Sequence, residues 1–148
     1  KLKVAITEGT SAWVPDYVAR LEFHYAETRE SQNLGDFRGH LDKSPAETFR
    51  SNVKIGASCM SKREADLRHE IGIDSMMWGS DYPHPEGSWP ITRTQQLDSL
   101  HGVADHEIEA LLGGNAVEFY DLDAEKLAPL AARIGPEKQT FQNPRQDV

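Results

Sequence analysis

The sequence predicts a parallel α/β fold, and three observations carry that expectation. Short apolar segments alternate with helix-period segments in the order strand, helix, strand, helix, strand, loop, helices, the pattern of βα units joined by right-handed crossovers. The third short segment, Met76-Met77-Trp78, is apolar on consecutive residues, which suits a parallel strand buried on both faces. The chain has 148 residues, the size of one ordinary domain.

The elements follow in order. Leu2, Val4 and Ile6 alternate with Lys3, Ala5 and Thr7, the period of a strand. Glu8-Gly9-Thr10-Ser11 is a turn signal directly after it. Val14, Tyr17, Val18, Leu21 and Tyr25 then fall at helical spacing, with Pro15 in the first turn, and predict a helix over about 14–30. The polar stretch 32–44 reads as a loop. Ser44-Pro45-Ala46-Glu47 reads as a helix start: Ser44 as N-cap, Pro45 first, Glu47 closing a capping box. A second strand is expected over 52–58. Ser61 and Glu64 form a second capping box, and Gly72 ends that helix. The third strand spans about 75–79, and a Gly- and Pro-rich loop runs to Trp89. Helical pieces follow over about 91–100, 105–112, 115–120 and 123–134, with Asn115 as a cap and Gly135-Pro136 as the last stop. Beyond Glu137 the chain is polar and lacks periodicity, so residues 136–148 read as a tail or arm.

Composition narrows the function. The net charge of -8 argues against nucleic-acid binding, which rests on clustered Lys and Arg. No apolar run reaches the roughly 18 residues that a membrane span needs. A single cysteine, Cys59, excludes an internal disulfide and makes the cytoplasm the expected compartment. Cys59 ends an apolar run and reads as a small buried thiol. The 38% hydrophobic content and mean hydropathy of -0.61 are lean for a chain forming its own core. Some apolar surface is therefore expected to be shared with another chain or segment. Lys1 in place of Met is read as a trimmed terminus or a fragment.

The densest chemical signal is Trp78–Pro90, WGSDYPHPEGSWP. A buried strand runs straight into Ser80-Asp81, and ligands of parallel α/β folds bind beyond the carboxyl ends of the strands. A carboxylate and an imidazole a few residues apart, Asp81 and His84, can coordinate a divalent metal or share a proton. The prolines between and beside them stiffen the loop. The alternative is a turn or cap aspartate beside a surface histidine. Glu8 has the same two readings: an active-site carboxylate at a strand end, or a polar residue opening a loop. Trp13 reads as lining a pocket or packing, His24 and Tyr25 as partly buried structure, Arg68-His69-Glu70 as a solvated face, and Trp89 as packing the loop on a helix.

Met77-Trp78-Gly79-Ser80-Asp81-Tyr82-Pro83-His84 resembles the last barrel strand of the amidohydrolase-2 family, which includes various hydrolases and metal-dependent decarboxylases related to aminocarboxymuconate-semialdehyde decarboxylase. Leu2–Gly9 followed by Trp13-Val14-Pro15 looks like the family's sixth strand and its helix. Asn52–Gly56 looks like the seventh strand, and Gly114-Asn115-Ala116 followed by Phe119-Tyr120 like the closing helix. Together these motifs cover about residues 1–135, in the family's order.

The resemblance implies the C-terminal portion, strands 6–8 and their helices, of a TIM-type (β/α)8 barrel. A complete barrel needs roughly 250 residues. The missing N-terminal half of the barrel, or a second copy of the chain, is the partner this implies. It also implies a divalent metal, Zn or Mn, at the mouth, with Asp81 binding it or working beside it. The reaction would be hydrolysis or non-oxidative decarboxylation of a small carboxylated or cyclic substrate. Relatives place a His after the sixth strand, where this chain has Glu8. His84 has no fixed family role and is read as facing substrate or supporting the metal ligands. The family's other metal-binding histidines follow the first and fifth strands, outside this chain. A non-catalytic fragment or half-barrel needing a partner chain is the competing expectation.

Overall fold

The computed structural model describes residues 2–31, 41–137 and Phe141. Three strands, β1 (Val4–Gly9), β2 (Val53–Ser58) and β3 (Met76–Gly79), make one sheet in the order β1-β2-β3. Both pairings are parallel, as the alternating order of elements predicts. In β2, Ile55 and Ala57 are buried, and in β3 the consecutive Met76 and Met77 are both buried. A strand that buries both faces has no polar side to alternate with. β1 lies at one edge of the sheet, and its Ile6 stays exposed.

Local sequence sets the helix starts. Helix α1 covers Val14–Ser31. In α2 (Pro45–Asn52), the Ser44 hydroxyl accepts from the Glu47 amide while Glu47 reaches back to the Ser44 amide. Ser61 and Glu64 repeat this at α3 (Lys62–Asp66). Each box satisfies two amides that the first turn leaves without partners. The helix expected from Ser61 to Gly72 is broken at Leu67, and α4 (Arg68–Ile71) continues after the break. Gly72 ends it at φ +98°, a conformation that suits glycine. The 32–44 loop expectation falls largely on residues 32–40, outside the described residues.

On the far side, α5 (Thr92–Leu100), α6 (Asp105–Glu109) and α7 (Asn115–Tyr120) follow. A wide turn over Ala110–Gly114 joins α6 to α7. This turn and α7 pack against β3. Helix α8 (Ala124–Ile134) starts at Asp123, whose side chain accepts from the Lys126 amide. The core gathers Ile55, Ala57, Met76, Leu100, Val103 and Leu111, the larger side chains each contributing about 1.5–3 kcal/mol when fully buried.

Four expectations are corrected. Asn115 is no cap: its backbone is helical, and its buried Nδ2 donates to the Ile73 and Met76 carbonyls at 2.8 and 2.7 Å. Those carbonyls belong to the chain entering β3, so Asn115 ties the helix layer to the strand. The stretch Arg68-His69-Glu70 is not simply solvated. Arg68 pairs with Glu107 of α6 at 2.9 Å and His69 approaches the same carboxylate at 3.2 Å. His24 is exposed rather than partly buried. Trp89 is 70% exposed and meets only the edge of Tyr82 among the described aromatic contacts, instead of packing the loop on a helix. In the expected tail, Phe141 is buried; residues 138–140 and 142–148 lie outside the described residues.

Candidate site at the carboxyl ends of the strands

The carboxyl ends of all three strands carry a non-glycine residue in the left-handed region: Glu8 at φ 57°, Cys59 at φ 52° and Asp81 at φ 58°. This conformation costs an L-residue roughly 1–2 kcal/mol and persists only where the surroundings enforce it. Glu8 is the extra residue of a bulge, because Thr7 pairs with Gly56 while Gly9 pairs with Ala57. A bulge at a strand end re-aims a side chain, and Glu8 is exposed there. Cys59 follows β2 directly, and its amide donates to the Gly79 carbonyl at 2.8 Å. That bond carries the β2–β3 pairing one step further toward Asp81.

The loop 80–88 is closed on itself. The His84 amide donates to the Asp81 carbonyl at 2.8 Å, the Gly87 amide to the His84 carbonyl at 2.9 Å, and the Ser88 amide to the Ser80 carbonyl at 2.8 Å. A Cβ on Gly87 would stand 2.8–2.9 Å from the Asp81, His84 and Ser80 carbonyl oxygens, so only glycine fits this crossing. The loop brings His84 Nδ1 to 3.5 Å from Asp81 Oδ2, with the side chains 58% and 24% exposed. The Glu86 amide points at the same Nδ1 from 3.4 Å. With the neutral ring's proton on Nε2, Nδ1 accepts there; with a proton on Nδ1 it is a donor toward Asp81. Burial, and then the negative charge of Asp81, pushes the Cys59 thiol up from its usual range, so a neutral thiol faces the loop.

The loop after β1 is tied to the loop after β2 by Glu64. Its carboxylate accepts from the Ser11 amide (2.5 Å) and hydroxyl (2.9 Å) and from the Ser61 amide (2.9 Å) and hydroxyl (2.8 Å). Burial alone would raise its pKa, but the four donors outweigh it and hold the carboxyl below its ordinary range.

The structure therefore joins two of the three residues singled out in the sequence, Asp81 and His84. Glu8 lies on the same carboxyl-terminal side of the sheet but at the opposite edge strand, and among the described residues no hydrogen bond or ion pair links it to either. Trp13 packs: its ring meets Tyr17 and Phe49 edge-on and its Nε1 donates to the Thr10 carbonyl. Sequence reasoning took Cys59 for a buried thiol; it is half-buried at a strand end. Its place one residue after a strand was the available signal. Asp81 can serve a divalent metal as one ligand. Among the described residues, however, no three His, Cys, Asp or Glu side chains group to hold an ion, so they do not form a complete metal site.

The fold and sequence have known counterparts. No curated protein matches the chain. The crystal structure of an amidohydrolase from Mycobacterium avium subsp. paratuberculosis K-10 is similar, with a TM-score of 0.61 and 26% identity over 80% of this chain. The chain spans 28% of the length of that structure. The amidohydrolase family model matches residues 2–122, which takes in all three strands, the 80–88 loop and α7, and the chain belongs to this family.

Proposed function

We propose that this chain is the C-terminal part, strands 6–8, of the barrel of a metal-dependent amidohydrolase-type enzyme. We assign it hydrolysis or non-oxidative decarboxylation of a small carboxylated or cyclic substrate. One observation carries the reading: Asp81, held left-handed at the end of a strand buried on both faces, projects from a closed loop at the edge where α/β barrels bind substrate. Family membership supports it. Asp81 would supply one ligand to a divalent ion, Zn or Mn, the remaining ligands coming from barrel strands outside this chain. Such an ion, when bound, lowers the pKa of water and polarises a carbonyl or carboxylate oxygen.

The chain's own residues do the rest. Asp81 Oδ2 accepts and returns a proton beside the reacting group. His84 Nδ1 donates to that oxygen when protonated, steadying its charge. Glu8, at the carboxyl end of the opposite edge strand, is a second carboxylate on the same side.

A direct test uses the full-length protein, a panel of small cyclic esters and amides for hydrolysis, and small carboxylic acids for CO2 release. Asp81→Asn is expected to lower kcat by about 100-fold or more, the usual contribution of a positioned acid–base group. Activity within a few-fold of wild type would remove Asp81 from the chemistry.

A second reading has its own support. The outer edge of β1 and the outer edge of β3 each carry no strand among the described residues, and the chain supplies one metal ligand rather than a set. On this reading the polypeptide is a non-catalytic half-barrel that needs the N-terminal half or a second copy. Native mass spectrometry of the protein from its source decides between them. One divalent ion per longer chain, or per tight complex, supports the enzyme. A metal-free 16.6 kDa monomer supports the half-barrel.

A further inference from the structure

Asp81 occupies a disfavoured backbone conformation, so something must hold it there. The Ser80 carbonyl, whose peptide leads directly into Asp81, is the most heavily bonded group of the loop. The Ser88 amide and hydroxyl both donate to it, at 2.8 and 3.2 Å, and Cys59 Sγ lies 3.8 Å away. Ser88 is 0% exposed, although its neighbours Trp89 and Glu86 are exposed. Its hydroxyl also lies 3.0 Å from the Thr92 hydroxyl at the start of α5. Ser88 Oγ has one proton to give. With that proton on the Ser80 carbonyl, Thr92 donates to Ser88, and a chain Thr92→Ser88→Ser80 anchors the loop to a helix packed in the core.

We propose that Ser88 is the positioning residue of Asp81: by clamping the Ser80 carbonyl to α5 it fixes the peptide plane from which the carboxylate projects. The role rests on the reading of Asp81 as a catalytic group. Ser88 itself is buried beneath the loop and acts only through Asp81. The His84 amide to Asp81 carbonyl, Gly87 amide to His84 carbonyl, Tyr82 amide to Ser80 Oγ and Glu86 amide to His84 Nδ1 bonds lie within the turn and preserve its shape. Among the described residues the other ties of the loop carbonyls outward are the long thiol contacts of Cys59 to Ser80 and Glu86, at 3.8 and 4.0 Å, weaker than the Ser88 pair.

The test compares wild type, Ser88→Ala, Asp81→Asn and the double variant in the full-length protein. Hydrogen exchange at the amides of His84, Gly87 and Ser88 is expected to quicken by about tenfold or more in Ser88→Ala, confined to the loop, because local opening loses an anchor. On the panel member that the wild type turns over, kcat is expected to fall about 10- to 100-fold with KM within threefold, as for a misplaced catalytic group. On top of Asp81→Asn, the serine change is expected to cost nothing further, since two residues acting as one unit are non-additive. Unchanged loop exchange would overturn the clamp, and so would a serine effect that multiplies fully with Asp81→Asn. If Asp81→Asn itself stays active, the catalytic reading of Asp81 falls, while loop exchange still decides the clamp. Should Ser88→Ala not fold, Thr92→Val removes only the outer hydroxyl and is expected to give the same loop-confined quickening at smaller amplitude; its absence overturns the proposal equally.

Discussion

Glu64 shows how one residue can join two loops. A buried carboxylate with four donors is stabilised in its charged form, and each donor would be stranded by its removal. Glu64→Gln keeps the shape but loses the charge and replaces one acceptor oxygen with an amide, so we expect a loss of about 1–3 kcal/mol by urea unfolding at neutral pH. The pH dependence has a fixed sign. The folded pKa lies below the ordinary value, so the contribution is fully present above the ordinary carboxylate pKa of about 4.3. It is lost as the pH falls through the lower folded value. Wild type should therefore lose more stability than Glu64→Gln between neutral pH and about pH 3; parallel curves would show that Glu64 is not the linked group. At Gly87 the constraint is steric. Gly87→Ala should open the 80–88 turn, because three backbone oxygens cannot retreat as a flexible side chain could, and exchange at the His84 amide reads this directly.

At the scale of elements, Asn115 decides how the helix layer meets β3. Two buried carbonyls, Ile73 and Met76, depend on its Nδ2. Asn115→Ala should cost about 2–4 kcal/mol, since each stranded buried polar group costs about 1–3 kcal/mol. Asn115→Asp should cost more, despite its matching shape, because it turns an oxygen toward the two carbonyl oxygens. Denaturant unfolding checks both, and an Asp variant as stable as wild type would refute the role. The capping boxes at α2 and α3 were legible because a cap needs only residues three apart. Asn115 was misread because its partners lie 39 and 42 positions away in sequence. The break at Leu67 and the wide turn at Ala110–Gly114 were missed for the same reason: packing against neighbouring elements sets them, not local propensity.

At the scale of the whole molecule, the three parallel strands leave two outer edges that carry no further strand among the described residues, beside exposed apolar surface. Leu2, Val4 and Ile6 of the β1 region, with Trp13, Tyr17 and Phe49, line a groove of about 570 Å³. On α8, Leu127, Leu130 and Ile134 are exposed. Unpaired strand edges beside apolar surface invite association. Residues 1–148 produced alone are therefore expected to self-associate at micromolar concentration, as seen by light scattering after gel filtration. A chain that stays monomeric at that concentration would show that these edges and this apolar surface do not drive association. The lean hydrophobic content raises the same expectation, since a chain that shares its core needs fewer apolar residues of its own.

The sequence by itself determined the parallel α/β order, the strand positions to within a residue or two, both capping boxes, and the strand-end placement of Asp81 and His84. Each of these depends on periodicity or on residues close along the chain. Only the tertiary structure decided that Glu8, Cys59 and Asp81 share one strained backbone state at three neighbouring strand ends. It likewise decided that Arg68 is paired across helices, that Glu64 binds two loops, and that Ser88 lies buried under the loop it closes. Those facts depend on groups brought together through space, where hydrogen-bond satisfaction and burial are settled by packing rather than by neighbours in sequence.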